Sequence, residues 1–132
     1  MHPRTIVLNI GTNNLASTDN ARNNTPEEIV QGILAVHRVL RTRAPQARIL
    51  VMGIFPRGSL PTNDFRAPIL KINEMLAAEV AKLPNTGFLD IGKGFLTPDG
   101  TIPATIMSDG THPTDEGYAI WAKALVEAGI RK

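Results

Sequence analysis

The chain has 132 residues, of which 42% are hydrophobic, and this is the size of one globular domain with a modest core. Its formal net charge is +2 and its 14 lysine and arginine residues form no basic run, so we expect no nucleic-acid partner. The chain has no cysteine, no signal-peptide pattern and no apolar run of membrane-spanning length. Residues 1–132 are therefore expected to form a single soluble domain, and the sequence does not indicate its cellular compartment.

Three short apolar runs are typical of buried parallel strands. They lie at residues 5–10 (TIVLNI), 48–54 (RILVMGI) and 86–91 (TGFLDI). Helical patterns separate these runs, and a third helical pattern follows the last of them. The alternation of strand and helix predicts an α/β domain with a parallel sheet.

Each helix carries its own signals. Thr25 is the predicted N-cap of the first helix, with Pro26 at its first position and Glu28 closing a capping box. The second helix is expected to run to about residue 83, and the third to begin near residue 113 or 114. The residues predicted to face the core are Ile29, Ile33, Val36 and Leu40 in the first helix, Ile69, Ile72, Leu76 and Val80 in the second, and Tyr118, Trp121 and Leu125 in the third.

The loops that follow the strands hold the candidate chemistry, because ligands of such sheets gather at the carboxyl ends of the strands. The first loop opens with GTNN, where Gly11 permits a sharp turn out of the strand. Asn13 is then a candidate donor to a developing oxyanion. The alternative is that Asn13 and Asn14 only satisfy turn backbone.

The turn DGTHP carries a candidate acid and base. A general-base histidine needs a carboxylate on its Nδ1–H, and Asp109 lies three residues before His112 around Gly110. The alternative is a structural aspartate that accepts turn amides beside a surface histidine. We expect no metal site, since no tight cluster of further ligands accompanies this turn.

These segments together resemble the SGNH hydrolases, also called the GDSL esterase and lipase family, and most closely the platelet-activating-factor acetylhydrolase type. The resemblance rests on GTNN after the first strand, FPRG after the second, and DGTHPTDEGY before the terminal helix. It implies a three-layer, flavodoxin-like SGNH fold with a parallel sheet, lacking the first strands in this chain. By position it implies that Asn13 is the oxyanion-hole donor with Gly11 and Asn14 in support, and that Asp109 and His112 are the orienting acid and the base.

The same resemblance implies a serine ester hydrolase that acts on small acyl esters, acetyl above all, without a cofactor. The family's nucleophile lies in a Gly-Asp-Ser block before the GTNN strand, and this chain contains no such block. Ser17, Ser59 and Ser108 are poor substitutes, because none is expected on the strained turn that presents a nucleophile. We therefore expect an unknown nucleophile from a missing or separate segment. The alternative is a truncated, catalytically inactive binding or assembly module.

Further expectations concern partners and neighbouring residues. Without the nucleophile strand, residues 5–10 form an apolar edge, so we expect a second polypeptide segment or a homo-oligomer besides the small ester substrate. Arg57 and Gly58 are candidates to contact the polar end of an ester, the alternative being a solvated turn. Asp90 is expected to bond loop amides, the alternative being a place in the lining of the site, and His37 is expected to be a partly exposed helix residue.

Overall fold

A computed structural model describes residues 3–12 and 24–130, and in them three parallel strands form one sheet. The strands are β1 (Thr5–Leu8), β2 (Arg48–Met52) and β3 (Thr86–Leu89), in the spatial order β1-β2-β3. Val7 lies opposite Leu50, and Leu50 lies opposite Gly87. The predicted parallel sheet is confirmed, although each strand ends two residues earlier than the apolar run that predicted it.

A side chain explains where β2 ends. Beyond Met52, the Ile54 N–H donates to Asn73 Oδ1 at 2.7 Å, and Asn73 Nδ2 donates to the Ile54 carbonyl at 2.9 Å. The backbone of Ile54 is therefore satisfied by one buried amide instead of a neighbouring strand. The chain leaves the sheet at this point and enters the loop after β2.

The helices are α1 (Pro26–Arg43), α2 (Arg66–Val80) and α3 (Asp115–Glu127), with a short 3-10 helix at Gly92–Phe95. The capping box of α1 is confirmed: the Glu28 N–H donates to Thr25 Oγ1 at 3.1 Å, and the Thr25 N–H donates to Glu28 Oε1 at 2.9 Å. Such a cap contributes about 1 kcal/mol to helix stability. No helix within residues 3–12 and 24–130 combines the length and apolar character needed to cross a bilayer.

Alternate residues of the strands pack into two hydrophobic cores, one on each side of the sheet. Helices α1 and α2 pack against Leu8, Ile49 and Val51 on one side. The other side packs Leu50 and Met52 against the 3-10 helix, α3 and the segment between them. The result is the predicted three-layer α/β arrangement, in which the loops after β1 and β2 emerge at one edge of the sheet.

The face of α1 differs from the prediction at two neighbouring positions. His37 is only 4% exposed, whereas Val36 is 37% exposed, so the predicted exposure of His37 and the predicted burial of Val36 are both wrong. The buried stripe follows Ile29, Ile33 and His37 at a spacing of four residues, which keeps these side chains on one helix face. His37 is tolerated there because its Nε2 lies 2.9 Å from Thr86 Oγ1.

Burial of His37 makes the stability of the fold depend on pH. Burial lowers the pKa of His37, and the charges of Arg41 and Arg38 lower it further. The unfolded chain therefore binds more protons than the folded one below the ordinary histidine pKa of about 6.5, so stability rises with pH towards that value and falls below it.

Replacement of His37 by glutamine is expected to flatten this dependence, since an amide keeps a hydrogen-bonding group there but binds no proton. The measurement is the free energy of unfolding in urea at about pH 5 and pH 7.5. His112→Gln, which leaves His37 in place, should still lose stability at the lower pH. An equal loss in His37→Gln and in the unaltered chain would refute this assignment.

Candidate functional site

Asp109 holds both the backbone of its turn and the ring of His112. Asp109 Oδ2 lies 2.7 Å from His112 Nδ1, while Asp109 Oδ1 accepts the N–H groups of Thr111 at 2.8 Å and His112 at 2.7 Å. One oxygen thus accepts turn amides and the other bonds the imidazole, so the hydrogen bonds expected under both alternatives are present.

The electrostatics of the pair suit a base. The hydrogen bond from the His112 side chain, followed by the backbone N–H groups of His112 and Thr111, holds the pKa of Asp109 well below its ordinary value. An ionised carboxylate only accepts hydrogen bonds, so Nδ1 of His112 carries the proton in this pair. His112 Nε2 is then the ring nitrogen that can take a proton from another group.

The turn is positioned by a backbone contact with the loop after β2. The Gly58 N–H donates to the Gly110 carbonyl at 2.8 Å. Gly110 has a φ of 74°, and a Cβ on it would lie 3.2 Å from the backbone nitrogen of Ser59. Glycine is therefore required at position 110, both for the left-handed backbone and for the close approach of the two loops.

A cavity of about 190 Å³ lies beside His112 at the carboxyl ends of the strands. Its walls are residues 9, 10 and 12 after β1, residues 54–57 after β2, and residues 111–113, 118 and 121 around the start of α3. Larger surface hollows of about 450 and 370 Å³ lie beside α1 and do not include His112. We assign the site by its chemistry and not by volume.

Three aromatic rings line this cavity. Phe55 and Trp121 meet edge to face with centroids 4.8 Å apart, and Tyr118 stacks on Trp121 at 6.0 Å. Tyr118 is 53% exposed, so its predicted place in the core is wrong, whereas Trp121 packs against the core as well as lining the cavity. The first turns of α3 therefore form a wall of the site.

Arg57 also belongs to the cavity wall, and the alternative of a purely solvated turn does not hold for it. Its Nη1 donates to the Thr12 carbonyl at 3.2 Å, and its guanidinium carbon lies 4.5 Å from the centre of the Phe65 ring. Gly58 contributes the backbone bond to Gly110 described above. The loop after β2 thereby connects the end of β1 with the turn that carries His112.

Several predicted site residues have other outcomes. Asn13, Asn14 and Ser17 lie outside the described residues, although Thr12, the residue before Asn13, lines the cavity. Gly11 has a φ of 116°, and a Cβ there would lie 2.9 Å from Ile54 Cδ1, so only glycine fits. The described cavity wall contains no serine: Ser59 and Ser108 are exposed residues outside it.

Outside the cavity, Asp90 accepts the Gly92 N–H at 2.9 Å, which confirms the expected bond to a loop amide. No group of three or more histidine, aspartate or glutamate side chains in the described ranges is arranged to hold a metal ion.

Two residues that position the site were not identified from the sequence. Asn73 is 6% exposed and holds Ile54 at the start of the loop after β2. Arg66 donates from Nε to the Arg57 carbonyl at 3.2 Å and from Nη2 to the Gly58 carbonyl at 2.9 Å. The available signal was that Asn73 falls in phase with the apolar stripe of α2, where a polar side chain needs a buried partner.

Comparison with known proteins shows what this chain is similar to. The model of the GDSL-like lipase/acylhydrolase family matches residues 1–120. The chain is 42% identical over 125 residues to chicken (Gallus gallus) platelet-activating factor acetylhydrolase IB subunit alpha2, covering 95% of the chain and 51% of that protein. It is 36% identical to the human alpha1 subunit, with 95% and 51% covered. The chain therefore spans about half the length of these curated relatives.

Solved structures share the fold. A GDSL-like lipase from Bacteroides thetaiotaomicron superposes with a TM-score of 0.77 at 21% identity, covering 96% of this chain and 62% of that one. A carbohydrate esterase family 3 protein from Talaromyces cellulolyticus gives a TM-score of 0.71 at 18% identity, with 96% and 56% covered.

Proposed function

Because this chain belongs to the GDSL-like lipase/acylhydrolase family, we propose that it is the base-bearing part of a serine ester hydrolase. The observation that supports this most directly is the Asp109–His112 pair, joined at 2.7 Å beside a cavity at the carboxyl ends of β1 and β2. That location is where parallel α/β sheets gather catalytic groups.

The proposed reaction is acyl transfer in two halves. His112 Nε2 takes the proton of a serine hydroxyl as the serine oxygen attacks the ester carbonyl, and Asp109 stabilises the imidazolium that forms. Asn13 donates to the tetrahedral oxyanion. The imidazolium then returns its proton to the departing alcohol, and a water activated by His112 releases the acid from the serine.

The proposed substrates are esters of a small acyl group. The cavity of about 190 Å³ is smaller than the 300–1,000 Å³ of typical ligand pockets. A short acyl chain fits such a volume beside the contacting rings of Phe55 and Trp121. Acetyl is our proposal, and the names of the acetylhydrolase relatives support it.

We propose that the nucleophile comes from a segment outside this chain that pairs with β1. In the described sheet β1 is an edge, bonded to β2 only, and three of its four residues are half-buried. An apolar edge with unpaired backbone groups favours pairing with another strand. The absence of serine from the described cavity wall instead favours the second candidate function, a non-catalytic assembly module.

Reconstitution distinguishes the two candidates. The chain alone is expected to hydrolyse a short aryl acetate little or not at all, and not to persist as a 14.3 kDa monomer in a concentration series of size-exclusion chromatography with light scattering. Addition of a polypeptide carrying the Gly-Asp-Ser block of a family member should give a stable complex and turnover.

The matched control is the same polypeptide with its serine replaced by alanine, which should bind without turnover. Binding of the serine polypeptide without any hydrolysis would favour the assembly module. A lasting monomer at micromolar concentration that binds neither polypeptide would contradict the proposed pairing at β1.

A further inference from the structure

Arg57 is held in place from three directions. Its Nη1 donates to the Thr12 carbonyl at 3.2 Å, its guanidinium stacks over Phe65 at 4.5 Å, and its own carbonyl accepts from Arg66 Nε at 3.2 Å. The stacked ring and the bond to Thr12 restrict a side chain that is otherwise rich in rotamers, while the bond from Arg66 fixes the backbone that carries it. The guanidinium is therefore a fixed feature of the cavity wall.

The charge of Arg57 has no counterion in the described part of the chain. The ion pairs there are Lys71–Glu27, Lys82–Glu79 and His112–Asp109, none of which involves Arg57. The residues that line the cavity include neither aspartate nor glutamate. Of the five N–H donors of the guanidinium, one nitrogen bonds a carbonyl, and Nε and Nη2 bond no described residue.

A half-buried arginine without a carboxylate partner is suited to bind an anion. A guanidinium presents a planar set of donors that matches carboxylate and phosphate oxygens, and these charge-assisted bonds are stronger than neutral ones. The neighbouring walls at Ile10, Phe55 and Pro56 are apolar, which lowers the local dielectric and strengthens such bonds.

We propose that Arg57 forms an oxyanion subsite of the cavity beside His112, and that this subsite takes a carboxylate or phosphate group. Anion binding at Arg57 does not depend on the proposed function. Only the assignment of the bound anion to the ester or to its product rests on it. Two sources share the chemistry: the carboxylate of the released acid, or an anionic group on the alcohol part of the ester.

Anion binding can be measured without any catalysis on the 132-residue chain, in the oligomer that it forms or in complex with the added polypeptide. Trp121 is the only tryptophan and lines the same cavity, so its fluorescence reports on an occupant. Sodium acetate represents the released acid and methyl phosphate represents the alcohol part, each titrated against sodium chloride at equal ionic strength. The variants are Arg57→Gln, which removes the charge, and Arg57→Lys, which keeps the charge but lacks the planar set of guanidinium donors. The matched control is Arg43→Gln, at an exposed arginine.

The expected result is saturable binding of at least one anion, weakened roughly tenfold or more in Arg57→Gln, as loss of a charge-assisted bond implies, and unchanged in Arg43→Gln. Arg57→Lys should bind with intermediate affinity and should melt near the temperature of the unaltered chain. Weaker binding at an unchanged melting temperature would show that the subsite is lost and the fold is kept.

Saturation by acetate alone would identify a product subsite, and saturation by methyl phosphate alone a subsite for the alcohol part. No saturation by either anion, or equal weakening in Arg43→Gln, would overturn the proposal. Since no ester is hydrolysed, this outcome is independent of the proposed activity.

Discussion

Replacement of His112 by alanine is expected to abolish ester hydrolysis by the assembled enzyme, with a loss of roughly 10⁶-fold in kcat of the kind that follows removal of a triad histidine. His112 is the only imidazole in the described cavity wall, and its Nδ1 is already bonded to Asp109 at 2.7 Å. Without it, the described cavity wall offers no side chain that could act as the proposed base. The measurement is kcat and KM for a short aryl acetate, with the chain bound to the proposed nucleophile-bearing polypeptide.

The matched control is His37→Gln, which removes a buried imidazole from α1 that bonds Thr86 and does not line the cavity. Its kcat should stay close to that of the unaltered enzyme at neutral pH. His112 has an exposed side chain, so the alanine variant should melt within a few degrees of the parent. Hydrolysis that survives in His112→Ala would remove His112 from the mechanism.

The local parts of the site could be predicted from the sequence. Asp109 and His112 are three residues apart in a glycine turn, and the capping box of α1 joins Thr25 to Glu28 over the same separation. Such contacts depend on a few backbone angles and on the side-chain types involved. Sequence patterns therefore indicate them without knowledge of the tertiary structure.

The parts that depend on distant segments could not be predicted in the same way. The backbone hydrogen bond between Gly58 and Gly110 brings two loops together, and the sequence of neither loop indicates that it contacts the other. Tyr118 illustrates the same limit: its spacing places it with Trp121 on one side of α3, but only the position of the loop after β2 makes that side a cavity wall.

The error at Val36 and His37 has a different cause. Adjacent residues of a helix differ by about 100° in direction, so a stripe that drifts by one position exchanges a buried residue for an exposed one. Hydrophobicity favours Val36 for the core, whereas the packing of α1 against Thr86 favours His37. A tertiary hydrogen bond outweighs the local pattern at this position.

Replacement of Asp109 by asparagine is expected to lower kcat by roughly 10⁴-fold while preserving the turn, an effect of the size seen when a triad carboxylate becomes an amide. The amide oxygen can still accept the N–H groups of Thr111 and His112, which Asp109 Oδ1 accepts at 2.8 and 2.7 Å. The amide nitrogen, however, donates where the carboxylate accepted. His112 Nδ1 must then accept, so the proton of the neutral ring moves to Nε2, and the nitrogen proposed to take the serine proton can no longer act as a base.

The pH dependence sharpens this expectation. The lowered pKa of Asp109 keeps its carboxylate ionised from about pH 5 to pH 8, so Asp109 itself does not titrate in that range. The loss of kcat in Asp109→Asn should therefore persist across the whole pH profile. Asp115→Asn, which removes an exposed carboxylate in the first turn of α3, is the matched control and should retain most activity. Asp109→Ala, which also removes the acceptor of the two turn amides, should melt at a lower temperature than Asp109→Asn. Near-normal hydrolysis in Asp109→Asn, with the turn intact, would mean that Asp109 supports only the backbone and does not orient His112.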